Sequence, residues 1–332
     1  MIKSVYNSCF KWLKTVPLLS LMWLLLSGCQ FNCNDEVDEV IATGITSIPA
    51  RHGIDHLSSP FVPLSLEEQQ EDWSKELRMG NAFACEDDLY RAITCYKRAL
   101  LLIPCENIER CTQISYDIML CYYLGSKFQE MINFFETSCL AQADVKFAAF
   151  NNLLIMLYDA YMQTNQPDKA NCVWLAISKY SPETAADLLV FESAQDGNLS
   201  MLHTQISQHK DAQELLANMA LYDQCAKSPA RARALNALLP GAGYYYVGQK
   251  RSAITSFIIN ALFTIAAYQF FHHGYPAAGL VTASLETGWY LGGINGAGLA
   301  AQEYNARLYD SVTTPMLMDH CFFPVLMFET GF

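Results

Sequence analysis

The sequence predicts an all-α protein: a stack of paired helices, then an apolar helical hairpin, behind an apolar leader. Three observations predict it. From Glu67 onward apolar and small residues recur with the helical period, and Ala92, Met131 and Ala170 mark a frame that repeats about every 39 residues. After Arg251 no charged residue occurs until Glu286, and then none until Glu303. At the start, Lys3, Lys11 and Lys14 precede an uncharged, leucine-rich run over 16–26 that ends in Leu26-Ser27-Gly28-Cys29.

That leader has the layout of a secretory signal, and its apolar core is short for a bilayer span. Leu-Ser-Gly-Cys directly after the apolar core resembles a bacterial lipoprotein signal. The resemblance implies cleavage after residue 28 and acylation of Cys29, and several acyl chains hold a protein on a bilayer far more firmly than one. Gln30 stands where an aspartate would mark inner-membrane retention, so the resemblance favours the outer membrane. The alternative is an uncleaved signal anchor or a buried core helix. Residues 29–66 read as a lipidated tether, because Gly44, Pro49, Gly53, Pro60 and Pro63 break any helical period. His52 and His56 have the spacing of helical metal ligands, but Pro49 and Gly53 oppose a helix there.

With 332 residues the chain has room for two domains, and 52% hydrophobic residues at a mean hydropathy of +0.11 is high for a soluble protein. The net charge of −12 argues against a nucleic-acid partner, which needs clustered Lys and Arg. Of 12 cysteines, Cys9 leaves with the leader and Cys29 would carry lipid. Some of the other ten could oxidise in an exported protein, but spacing alone assigns no pair, and no C-x-x-C occurs.

Residues 67–227 read as helical repeats. In the first, Gly80, Ala92 and Ala99 are small where two antiparallel helices would cross, Phe83 and Tyr96 fill the space between them, and Pro104 stops the second helix. This unit resembles a tetratricopeptide repeat. Its frame recurs with Tyr122, Phe128, Met131 and Phe135, and again with Leu157, Tyr161, Ala170, Trp174 and Pro182; a last pair, 188–194 and 212–226, caps the stack. The resemblance implies a solenoid with an extended surface for proteins or peptides.

Residues 228–308 read as a membrane-associated hairpin. A run over 252–271 is long enough to cross a bilayer, His272 to Pro276 make a turn, and a second apolar helix covers 277–301. Ser284, Gly288, Gly292, Gly296 and Ala300 recur every fourth residue, as lipid-embedded helices do where backbones approach closely. Ser256, Asn260, Thr264 and Ala267 form the matching stripe, so the two faces are expected to pack, with Trp289 and Tyr290 turned outward. Glu286 is costly inside an apolar helix and is a functional candidate for that reason, the alternative being a protonated structural glutamate or one at the headgroup level; Asn260 or Asn295 could hydrogen-bond it. Leu239-Pro240-Gly241-Ala242-Gly243, Gly248, Glu286, Gly288, Trp289, Tyr304 and Asn305 together resemble an L-P-G-A-G-Q bacterial membrane module, from which Tyr244 departs where Gln is usual. That likeness implies topology more than chemistry.

Residues 309–332 read as a docking strand or a hydrophobic tail. With Cys29 lipidated, Arg231, Arg233, Lys250 and Arg251 would flank the hairpin on the outer side, against the positive-inside tendency; either the hairpin lies partly in the interface or the leader is uncleaved. No phosphate loop, G-x-S-x-G elbow or H-E-x-x-H occurs. The expectation is a non-enzymatic envelope scaffold with neither cofactor nor metal, whose partners are envelope proteins or peptides and the bilayer, with no nucleic acid and no small-molecule substrate identified. The alternative is a membrane-embedded factor whose hairpin assists insertion or transport of envelope proteins.

Overall fold

The computed structural model describes residues 57–332, so the leader, Cys29, His52 and His56 lie outside the described residues. The described chain is all-helical. Its elements are α1 (Asp72–Cys85), α2 (Leu89–Leu102), α3 (Ile108–Leu124), α4 (Phe128–Thr137), α5 (Phe150–Gln163), α6 (Pro167–Tyr180), α7 (Pro182–Gln195), α8 (Leu199–Gln208), α9 (Ala212–Cys225), α10 (Pro229–Leu238), α11 (Ala242–Tyr246), α12 (Lys250–His272) and α13 (Pro276–Asp319). They fall into two compact units: Ser228–Gly298, and 57–227 together with Leu299–Phe332. Helix α13 contributes to both, its residues after Gly298 belonging to the second.

In the larger unit α1 to α9 pack mainly on their neighbours in sequence. The turn inside each of the first three pairs is the same. Asp87, Ser126 and Asn165 hold positive φ, and the next amide reaches back to the carbonyl of Phe83, Tyr122 and Tyr161, closing each helix end. Short polar side chains tolerate that left-handed conformation. One turn type returning every 39 residues matches the interval of Ala92, Met131 and Ala170, all fully or almost fully buried. Gly80 is required by the first crossing: a Cβ there would stand 2.4 Å from the ring of Tyr96, a buried side chain whose hydroxyl donates to Asn81 Oδ1. After the third pair the pattern departs from expectation, since three helices follow and α8 fills the stretch between the two anticipated ones.

Both ends of the described chain are docked, the end of the expected tether and the tail that reads as a docking strand or a hydrophobic tail. Phe61, assigned to the tether, packs its ring against Tyr116 and Phe147, and Arg110 binds the carbonyls of Val62 and Pro63 while pairing with Glu68 at 2.8 Å. At the other end there is no strand; a 3₁₀ turn at Pro324–Met327 lets Phe322, Phe323 and Phe328 sink into the core. Asn152 holds the last residues by their backbone, donating to the Thr330 carbonyl and accepting from Glu329 N–H. Burial of three aromatic rings explains why a segment with no helical period is ordered.

Candidate functional site

The smaller unit concentrates the residues singled out from sequence. Helix α10 ends at Leu238, and Pro240-Gly241 turns the chain into the five-residue α11. Gly241 has φ +91°, and a Cβ on it would stand 2.2 Å from the Ala253 carbonyl, so the corner tolerates only glycine. Its N–H donates to Oδ1 of buried Asn236, which ties the corner to α10. Gly243 lies against the Ala232 carbonyl, and Gly248, with φ +89°, releases the chain into α12. The Pro-Gly-Ala-Gly stretch is therefore a tight corner, and its glycines have steric reasons.

Helix α12 presents Ala253, Ser256, Asn260 and Ala267 inward, while Ile254, Phe257, Ile258, Leu262, Ile265 and Tyr268 are each at least half exposed. Thr264, expected on the inner stripe, is exposed, and the stripe instead extends back to Ala253. Among the described residues α12 alone is long and apolar enough, by length and composition, to cross a bilayer, where two such helices were expected.

The glycine stripe of α13 does not form the expected seam. A Cβ on Gly288 or Gly292 would meet nothing within 4 Å, and both residues are exposed; the better-covered positions are Ala283, Glu286, Tyr290, Gly293 and Ala297, one helical face away. Tyr290 accordingly points inward and donates to the Ala237 carbonyl, whereas Trp289 is half exposed as expected. The covered face is itself made largely of small residues, and its one aromatic member, Tyr290, is tied to α10 through the Ala237 carbonyl.

What the glycines create is space. Gly288, Gly292 and Gly293 form the floor of a cleft of about 650 Å³, with Tyr244, Trp289 and the first turns of α12 (Arg251, Ser252, Thr255, Ser256) as its walls. Gly296 lies under the Tyr244 hydroxyl, where a Cβ would come within 2.3 Å. Burial pushes the Tyr244 phenol above its usual range, so it remains a neutral donor. Sequence reasoning singled out Gly288, Gly292, Trp289 and Ser256 and missed Gly293, Ser252 and Thr255; the available signal was the departure at Tyr244 and the hydroxyl run beside Arg251.

The two polar candidates do not pair as expected. Asn260 spends its amide N–H on the Ser256 carbonyl, leaving Oδ1 buried without a partner, and Glu286 Oε2 is likewise buried without one. Tyr304 and Asn305 do not line the cleft and belong to the larger unit, where Asn305 accepts from Lys227 N–H and donates to its carbonyl and the Lys227 ammonium lies over the Tyr304 ring. In that unit Asp159 accepts from Tyr123 Oη at 2.6 Å, and burial raises its carboxyl above the usual range. Among the described residues no group of three His, Cys, Asp or Glu side chains is placed to hold a metal. Compared with known protein families, with characterised proteins and with solved structures, the chain matches none.

Proposed function

We propose that this chain is an envelope lipoprotein, acylated at Cys29 and facing the periplasm from the outer membrane, in which tetratricopeptide-like repeats act as a protein–protein interaction scaffold. The observation that carries the scaffold is the recurrence of one helix-ending turn at Asp87, Ser126 and Asn165, each followed by a buried residue of the same frame. Stacked pairs of this kind spread a surface too extended for a small molecule and suited to a protein. The face carrying Tyr116, Tyr123 and Asn152 is covered by the chain's own C-terminal residues. A partner therefore meets the sides left open, such as the outer side of α2, where Tyr90 and Leu101 are more than four-fifths exposed. The exposed apolar side of α12 supports the membrane part, because such a surface is costly in water and stable in lipid.

Two measurements test this reading. Mass spectrometry of the purified product is expected to find residue 29 at the amino terminus with acyl chains; an intact, unmodified leader sinks the lipoprotein part. Cross-linking followed by pull-down is expected to recover one envelope protein with the wild type and to lose it with Tyr90→Asp plus Leu101→Asp. Recovery unchanged in that variant sinks the assignment of the binding face.

A second reading is favoured by the buried, unpartnered oxygens of Glu286 and Asn260, which are costly in a unit that serves only as an anchor. Here the hairpin itself assists insertion or transport of envelope proteins and the repeats recruit them. Glu286→Gln separates the two: activity lost with the partner still bound favours the hairpin, and unchanged activity favours the scaffold.

A further inference from the structure

Among the cysteines of the larger unit, two meet. Cys111, in the first turn of α3, and Cys139, opening the 3₁₀ turn Cys139–Gln142, have their sulfurs 3.7 Å apart, with Cys139 Sγ also 3.5 Å from Ser115 Oγ. Both thiols are free and partly exposed. A disulfide needs about 2.05 Å between sulfurs, so small side-chain rotations close the gap. Cys139 faces a surface cleft of about 530 Å³ bounded by Phe61, Ile108, Thr112 and Phe147, which admits a low-molecular-weight disulfide. We propose that Cys111 and Cys139 form a dithiol–disulfide pair that clamps the Cys139–Gln142 turn onto α3.

The chemistry balances as thiol–disulfide exchange. The Cys139 thiolate attacks one sulfur of an external disulfide such as oxidised glutathione, forming a mixed disulfide and releasing one glutathione. The Cys111 thiolate then attacks the Cys139 sulfur and expels the second. Two protein thiols give up two electrons and two protons, and two glutathione thiols receive them. Burial, reinforced by the adjacent Cys139 sulfur, holds the Cys111 thiol up at about 11 in the reduced pair, so Cys111 is poorly suited to make the first attack. The nearest competitor is exposed Cys105, close enough to act electrostatically on Cys111.

The test uses the purified full chain with oxidised glutathione, so it does not depend on where the cell keeps the protein. After trypsin, which cuts at Lys127, peptides 111–127 and 128–146 are expected to be joined in the monomer. Fragmentation is expected to place the bond on Cys111 and not on Cys121. The closed loop of about 29 residues is expected to raise the melting temperature by about 5–10 °C, reversibly with reductant. Cys111→Ser is expected to melt like the reduced protein and to accumulate the glutathione mixed disulfide at Cys139. Cys111 and Cys139 both still open to alkylation after oxidation, or Cys111 joined to Cys105, overturns the proposal.

Discussion

At the scale of single residues, two positions carry more than their size suggests. Gly80 is one, since Tyr96 is packed on all sides and has nowhere to move. Gly80→Ala is expected to destabilise the larger unit by about 1–3 kcal/mol through overpacking, read as a lower urea midpoint at unchanged slope. Arg110 is the other: its guanidinium holds Glu68, Gln113 and two carbonyls at once. The hydrogen bond from Arg110 holds the Glu68 carboxyl down at about 2, from an ordinary value near 4.5. A depressed carboxyl stabilises the fold above its unfolded-state pKa, and that contribution fades as pH falls toward the folded value. Wild type is therefore expected to exceed Glu68→Gln by about 1–2 kcal/mol at neutral pH, the partly exposed setting reducing the full electrostatic figure. The difference is expected to shrink between pH 5 and 2; a gap that stays constant over that range rules the ion pair out as its source.

At the scale of elements, the C-terminal segment and α12 make opposite demands. The segment 320–332 places Phe322 and Phe323 at 2% and 1% exposure, Phe323 edge-on to Phe191. Phe323→Ala is expected to cost about 3–5 kcal/mol, comparable to a ring lost from any core, and thermal melts would show it. Helix α12 instead turns its large side chains outward. Phe257→Glu with Ile265→Glu is expected to weaken partition into lipid vesicles, because charge at membrane depth is expensive, while leaving the melt of the larger unit unchanged. A vesicle-bound fraction equal to wild type would remove α12 as a membrane contact. Of these elements, the helices and the turn at His272 to Pro276 were legible in the sequence, because the 3.6-residue period and Gly-Pro punctuation act locally. The docking of Phe61 was not, and the C-terminal segment docks through a 3₁₀ turn and not as a strand, one of its two expected forms, because nothing near either in sequence shows the surface that receives it.

At the scale of the whole molecule, the chain leaves the larger unit at Lys227 and returns to it at Leu299. Tyr309 from the returning stretch is fully buried, donating to the Ala194 carbonyl and meeting the ring of Tyr222. A chain ending at Lys227 is therefore expected to lose near-UV circular dichroism while keeping helical content. One in which about ten Gly and Ser residues replace 228–298 is expected to keep a cooperative melt, since Asn305 already binds the backbone of Lys227. Equal melts for the two would show that 299–332 adds nothing to the core.

What the sequence determined by itself is the all-helical class, the interval of the repeats and the long apolar helix, because helical period and unbroken apolar length are properties of neighbours along the chain. What only the tertiary structure decided is which face of α13 is covered, which thiols meet, and that the glycine stripe lines a cleft. Those depend on contacts between residues far apart along the chain: Tyr290 reaches the Ala237 carbonyl, and Tyr244 walls the cleft whose floor is Gly288 and Gly292.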